Sequence, residues 1–320
     1  MRSKNAEKKA EIKETNRQTW RNRKSIKCIF RTGAIPAMAA LWLSSGSVFA
    51  TEGGGDTIGG GAEGMYVGTS PPQGLLYVGY ALRYSADRFN DGSGKSVVPG
   101  FKLTANALAN FFLYMTEERV LGAKHSYSIA IPLVDLHLQG VSGKSGIGDT
   151  TLGTQLFWDA GDWHTAAVLN VIAPTGEYDK NRVLNTGFNY WTVRPNFLFS
   201  YVPTSGLEAS MKFTYSFNGK NKDTDYESGR LFHFDYAASF PVSSAARLGV
   251  EGYYMKQMTD DIQNGQKVGP DGFRGQVFAI GPAFSYQFKA FSIEAKWLKE
   301  SNVKNRTDGS VLWAKLVHKF

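Results

Sequence analysis

The chain has 320 residues, 36 Lys+Arg against 28 Asp+Glu, a formal net charge of +8, 13% aromatic residues, 35 glycines and one cysteine. A basic balance of this size suggests a nucleic-acid or membrane-surface binder, but its position excludes that. Residues 1–50 hold 11 Lys+Arg and 3 Asp+Glu, so residues 51–320 hold 25 of each sign and leave no basic patch for nucleic acid.

Residues 1–50 read as an export signal. A long basic region ends at Arg31, an apolar stretch runs from Ala34 to Leu43, and Val48-Phe49-Ala50 has small residues where signal peptidase cuts, so cleavage is expected after Ala50. The apolar stretch is too short to span about 30 Å of hydrocarbon as a helix. Cys28 precedes that stretch and leaves with the signal. The mature chain therefore has no disulfide, thiolate zinc site or cysteine nucleophile. Residues 51–74 contain Gly53-Gly54-Gly55, Gly59-Gly60-Gly61 and Pro71-Pro72, which reads as a flexible Gly-rich periplasmic segment or a lumen plug.

From residue 75 the pattern is period two. In Leu207–Phe217, Leu207, Ala209, Met211, Phe213, Tyr215 and Phe217 alternate with Glu208, Ser210, Lys212, Thr214 and Ser216. That length crosses a bilayer as a strand tilted about 45°. The same template predicts twelve strands at 75–86, 101–115, 123–136, 148–159, 162–173, 187–201, 206–218, 228–240, 245–258, 273–288, 290–300 and 309–320. After residue 50 no run of eighteen apolar residues offers a helical span.

The connections alternate in length. Thr116–Gly122, the neighbourhood of Gly161, Val202–Ser205, Pro241–Ser244 and Lys289 are short. Asp87–Gly100, His137–Ile147, Pro174–Thr186, Gly219–Glu227, Thr259–Gly272 and Ser301–Asp308 are longer and polar. This asymmetry predicts an all-β, transmembrane antiparallel β-barrel of about 12 strands over residues 75–320, in contact with outer-membrane lipid. Short turns on the periplasmic side and an even strand number place both termini in the periplasm of a Gram-negative cell. The last strand alternates and closes on Phe320, which is similar to the signal read by the outer-membrane barrel assembly machinery.

Six segments in order carry a family resemblance. They are Gly148-Asp149, Ala173-Pro174-Thr175-Gly176-Glu177-Tyr178, Asn189-Tyr190-Trp191, Thr224–Gly229, Gly252–Gln257 and Ile280-Gly281-Pro282. Together they resemble the phenol-degradation meta-pathway (MetA-type) outer-membrane protein family over most of 70–320. The resemblance implies a barrel that moves aromatic or other hydrophobic solutes, and brings no catalytic or ligand residues with it. Read without it, Gly148, Asp149, Pro174, Thr175 and Gly176 supply turn geometry and local backbone bonds at strand ends, or a ligand-contacting rim.

Charges facing lipid at mid-membrane cost about 2–4 kcal/mol for Arg or Lys. Arg194, Glu208, Lys212, Asp235, Glu251 and Lys296 should therefore point inward, and their alternation agrees. Reflecting strands about the short turns puts Asp235 beside Glu251, with Lys212 as the cation available to them. These groups form either a constriction that filters solutes or a structural ion-pair network. His233 shares the face of Asp235, with Ser210 or Ser216 on the neighbouring strand, which leaves a lipid or ester hydrolase as an alternative. Asp223, Asp225, Asp260 and Asp261 read as solvated loop charge, since no spaced calcium loop surrounds them. The sequence thus points to passive passage of small hydrophobic, including aromatic, compounds without catalysis, cofactor or metal. The alternatives are a narrow general porin for polar solutes and an adhesive barrel without transport.

Overall fold

The computed structural model describes Glu52 and residues 59–320; the expected signal, its cleavage point and Cys28 lie outside the described residues. The described chain is built from strands alone. In chain order they are β1 (Gly74–Phe89), β2 (Leu103–Val120), β3 (Ala123–Leu138), β4 (Lys144–Ile147), β5 (Thr150–Ala160), β6 (Trp163–Ala173), β7 (Thr192–Tyr201), β8 (Glu208–Asn218), β9 (Lys220–Asn221), β10 (Tyr226–Glu227), β11 (Leu231–Pro241), β12 (Ala246–Gln257), β13 (Ile262–Gln263), β14 (Gln266–Lys267), β15 (Gln276–Gln287), β16 (Phe291–Lys304) and β17 (Thr307–Lys319).

The twelve long strands form one antiparallel sheet in the order β2-β1-β17-β16-β15-β12-β11-β8-β7-β6-β5-β3. Pairing of β2 with β3 closes it into a barrel. Closure leaves no unpaired edge, the condition for strands to stand in hydrocarbon. Each long strand falls on one of the twelve expected segments. The largest boundary differences are at β7, which starts at Thr192 rather than at 187, and β2, which continues to Val120. In β2 a bulge between Met115 and Arg119 re-forms the ladder. The turn there is not Thr116–Gly122 but Leu121-Gly122, both at positive φ (52° and 77°). Two left-handed residues make the tight hairpin turn whose twist matches its strands.

The alternation sorts side chains into an outer and an inner face. Leu108, Leu152, Phe197, Val250, Trp297 and Leu312 are exposed on the outside. A soluble protein does not tolerate such a continuous apolar belt; hydrocarbon does. Near the short turns Tyr114, Trp163, Phe240 and Phe288 are exposed, and the Trp163 and Tyr201 rings lie 4.3 Å apart. Aromatic rings of this kind sit at the bilayer interface, apolar body inward and polar tip to water.

The inside is packed. Tyr253, Met255, Val277, Leu298, Val311 and Trp313 form one buried apolar cluster; Leu113, Met115, Phe157, Ala166 and Leu198 form another. Between these clusters runs the stretch that precedes β1. Its backbone hydrogen-bonds to side chains of β11, β8 and β7 in turn: Gly61 N to Asp235 Oδ1 (2.9 Å), Tyr66 N to Glu208 Oε1 (3.0 Å) and Gly68 N to Ser200 Oγ (2.8 Å). Phe320 lies at the short-turn end, its N–H on Leu75 O. Glu52 is held among the long loops instead, by Tyr178 and Asn221. The described chain therefore starts and finishes at opposite ends of the barrel. Strand parity governs where β1 begins and β17 ends, and does not govern the segment in front of them.

Beyond bulges and short lapses in pairing, the wall parts between β3 and β5. β5 pairs with β3 only as far as Thr151 opposite Ala130. Above that point β3 continues and pairs with β4.

Candidate functional site

The seven charged or ionisable candidates, Arg194, Glu208, Lys212, His233, Asp235, Glu251 and Lys296, all lie on the inner face. Lys296 is buried, and its Nζ reaches Glu251 Oε2 (2.6 Å), Glu294 Oε1 (3.2 Å) and the backbone oxygen of Glu63 (3.0 Å). Lys212 stands directly opposite Asp235 in the ladder, with its Nζ 3.7 Å from Glu63 Oε1. Glu208 accepts from Tyr66 N, from Ser210 Oγ and from Ser239 Oγ (2.7 Å). Arg194 Nε donates to Ser216 Oγ (3.0 Å), and His233 Nε2 is 3.1 Å from Asp235 Oδ1. Glu208, Lys212, Asp235 and Lys296 thus converge on the segment before β1 rather than on an open aperture.

One expected juxtaposition is corrected. Asp235 faces Tyr253 across the β11–β12 hairpin, and Glu251 faces Ala237. The hairpin folds about residue 244, with Pro241 opposite Arg247. Placing its centre one residue earlier moves every cross-strand partner by two. Glu251 finds its cation on β16, not on β8. The hydroxyls weighed for hydrolysis are engaged elsewhere: Ser210 with Glu208 and Ser216 with Arg194.

Among the described residues, Gly60, Gly64 and Gly68 before β1 are explained by this proximity. A Cβ on Gly64 would lie 2.1 Å from Glu251 Oε2, one on Gly60 2.8 Å from the Tyr253 ring, and one on Gly68 2.7 Å from the backbone N of Ser200. Only a residue without a side chain lets backbone approach that closely. Trp313 Nε1 adds a bond to Gly60 O (3.0 Å). Ser70 Oγ donates to Asp159 Oδ2 (2.7 Å) near the short turns.

Below the segment, toward the short turns, lies a chamber of about 700 Å³. Leu76, Val78, Phe111, Leu113, Phe157 and Leu198 line one side of it. Lys212, Arg247, Lys315, Glu63 and Glu294 line the other. Glu63, Glu294, Lys315 and Arg247 were not among the sequence candidates. Glu294 and Lys315 obey the same inward alternation and carry the same charge signal. Arg247 shares the inward face of Glu251 in β12 and carries that signal too, whereas Glu63 sits outside any run long enough to orient it.

At the long-loop end the family-motif residues hold loops together. Asp149 Oδ1 accepts from Gly176 N and Oδ2 from Phe188 N, both at 2.9 Å, while Thr175 Oγ1 accepts from Thr150 N (2.9 Å). Gly148 N bonds Pro132 O (2.8 Å). The Gly148–Pro132 bond crosses the place where β3 and β5 part, while the others, with Pro174 leading into the loop, tie the start of β5 to the loop after β6. Asn189, at positive φ, donates to Asn221 Oδ1 (2.8 Å); Tyr190 is buried, and Trp191 is exposed with its carbonyl on Gly219 N. Gly281 and Pro282 sit in β15, where the β15–β16 pairing lapses between Ile280 and Ala283. A Cβ at Gly281 would meet Trp297 O, and proline there has no N–H to give.

Asp261 corrects the reading of solvated loop charge. It is fully buried, accepting from Tyr226 Oη (2.5 Å), Gly229 N (2.7 Å) and Gln257 Nε2 (2.7 Å). Burial pushes its carboxyl up to about 7, opposed by those three bonds and helped by neighbouring Asp260. Burial and Asp261 in turn raise the Tyr226 phenol. Among the described residues no group of three or more His, Cys, Asp or Glu is arranged to hold a metal ion.

A family model described as "Putative MetA-pathway of phenol degradation" matches residues 86–316. No curated protein matches the chain. The structure is similar to the COG4313 outer membrane channel from Pseudomonas putida F1, with a TM-score of 0.73 at 18% identity, covering 80% of this chain and 98% of that one. More distant likenesses include the KdgM porin, with a TM-score of 0.42 at 8% identity over 76% of this chain and 99% of that one. A Pseudomonas aeruginosa FadL homologue has a TM-score of 0.40 at 10% identity, over 77% and 90%. The chain thus shares the barrel fold of the first of these.

Proposed function

The chain belongs to this phenol-degradation family, and from that premise we propose that it is a passive outer-membrane channel for small hydrophobic molecules, aromatic compounds among them. The observation that supports this most directly is the apolar side of the inner chamber, built by Leu76, Val78, Phe111, Leu113, Phe157 and Leu198. A lumen that conducts polar solutes is lined by polar groups; an apolar wall favours a hydrophobic guest, whose burial is worth roughly 25 cal/mol per Å² of apolar surface.

In this reading the short turns and Phe320 face the periplasm, the long loops face outward, and the closing strand is the part read by the assembly machinery. The segment from Gly59 to Pro72 is a plug. Asp235, Glu208 and Lys296 hold it by its backbone and Lys212 by the Glu63 side chain, so these charges have little left with which to sort ions. Passage requires the plug to shift. The parting of β3 and β5 above Ala130, where β3 turns to pair with the short β4, offers a route between the lumen and lipid.

The test is uptake of a labelled aromatic compound at limiting concentration by deletion and complemented cells, beside swelling of liposomes holding the purified protein. Faster uptake with the protein present and little swelling in small sugars are expected. Equal uptake with and without the protein would overturn the reading.

A further inference from the structure

The charged side of the chamber is not balanced group by group. Its two carboxylates are both occupied: Glu294 by Lys315 (3.1 Å) and Lys296 (3.2 Å), and Glu63 by Lys212 (3.7 Å) and the Tyr80 hydroxyl (3.3 Å). Arg247 differs. Its Nε donates to Ser239 Oγ (3.0 Å), and one terminal nitrogen donates to the carbonyls of Gly206 (2.5 Å) and Ser239 (3.1 Å). Its guanidinium carbon stands 5.4 Å from the centre of the Tyr66 ring. All these partners are neutral. Glu208 lies behind Ser239 and receives that hydroxyl's hydrogen (2.7 Å); it is fully buried and does not line the chamber.

Arg247 therefore brings a permanent positive charge, and donors in a planar fork, to a half-enclosed space whose opposite side is apolar. Lys212 and Lys315 line the same space. Of the five charges on the chamber wall, three are positive and two negative. A cationic head would meet carboxylates that are already paired. A neutral molecule would leave the guanidinium without an ionic partner. A carboxylate would complete it, through a charge-assisted bond to the other terminal nitrogen, which those contacts leave over.

We propose that this chamber selects amphiphiles with an anionic head, a carboxylate on a small apolar body, with the Arg247 guanidinium binding the head and the Leu76–Val78–Phe111–Phe157 wall binding the body. The proposal rests on the reading of the barrel as a passage for hydrophobic molecules and adds the charge of the cargo to it. A chamber of about 700 Å³ is within the roughly 300–1,000 Å³ typical of small-ligand sites.

The test uses the full mature chain in lipid nanodiscs, with empty nanodiscs as the partition control. Three ligands share one body: 4-phenylbutyrate, 4-phenylbutanol and 4-phenylbutylamine. Equilibrium dialysis should give the carboxylate an affinity about tenfold or more above the alcohol, and the amine the weakest, in line with a charge-assisted bond. The carboxylate-to-alcohol ratio should fall toward one in Arg247→Gln and recover in part in Arg247→Lys. Equal affinities for the three ligands, or a preference for the amine, would overturn the selectivity while leaving a hydrophobic passage intact. Binding of none of the three above the control would overturn both. The ligand series on the wild-type protein decides the matter even if a variant fails to fold.

Discussion

At the scale of single residues, the inside of this barrel obeys the rules of a protein core more than those of a water-filled pore. Lys296 is the clearest case. It is held by two carboxylates and a carbonyl of the segment before β1, and is almost wholly buried. Removing its charge leaves Glu251 buried without its cation, beside a Glu294 that keeps only Lys315, and breaking a buried pair in this way costs about 3–5 kcal/mol. Lys296→Met should therefore lower the urea midpoint of the refolded barrel, followed by the heat-dependent shift in gel mobility. Adding Glu251→Gln should restore part of the loss. An unchanged midpoint in the single variant would show that the network holds nothing. Gly68 is a second case, set by space instead of charge. Its missing side chain would strike the backbone at Ser200 and His164, neither of which can turn aside. Overpacking of this kind costs about 1–3 kcal/mol. Gly68→Ala is expected to dislodge the segment and raise single-channel conductance in planar bilayers, whereas identical conductance would separate the segment from the conduction path.

At the scale of elements, strands were legible because lipid on one side and a packed lumen on the other impose a strict period of two. Leu207–Phe217 shows this best, and β8 (Glu208–Asn218) matches it to within one residue at each end. Register was legible only to within one step of each turn. The Asp235–Glu251 pairing failed on a turn centre placed at Ser243 rather than Ser244, although Lys212 opposite Asp235 came out of the same inward alternation. The glycine-rich stretch was ambiguous for a physical reason: glycine serves both a chain without fixed structure and a chain pressed against a wall, and only the wall tells them apart. The outer loops were least legible. Asp261 sits in a polar run with nothing local to announce its burial, because its partners Tyr226, Gly229 and Gln257 come from other segments. That burial has a consequence in pH. A carboxyl raised to about 7 in the folded loops, from about 3.9 when unfolded, prefers its protonated form in the fold. Its contribution to loop stability is complete below about pH 4 and is lost as pH rises through about 7. Exchange of the Asp261 and Val268 amides, which bond Gly272 O and Asp261 O, should accelerate between pH 5 and pH 8 beyond the intrinsic pH effect. Asp261→Asn should flatten that dependence; the same acceleration in the variant would assign it to another group.

At the scale of the whole molecule, a closed barrel and an internal segment solve different problems. Closure satisfies the backbone in hydrocarbon, where each unpaired group is costly. It leaves a lumen whose inner side chains would otherwise face water, and on one side of this barrel they are apolar. The segment covers them: Val67 packs against the apolar cluster of Leu113, Phe157 and Leu198, and Met65 against Ala237 and Ala283. Two ends hold it, one at Glu52 among the long loops and one at Ser70 beside Asp159 and Lys124. If the segment must shift for solute to pass, then fixing its lower end should block transport without opening or closing any path for ions. Residues 51–320 hold no cysteine, which makes this measurable. Ser70→Cys and Asp159→Cys, joined by a short thiol-reactive crosslinker, should abolish uptake of a labelled aromatic compound while leaving barrel assembly intact. Reversal of the link with reductant should restore uptake to the level of the unlinked double variant. Transport at full rate in the linked protein would mean that solutes pass beside a stationary segment, through the chamber bordered by Arg247, with no movement of the plug.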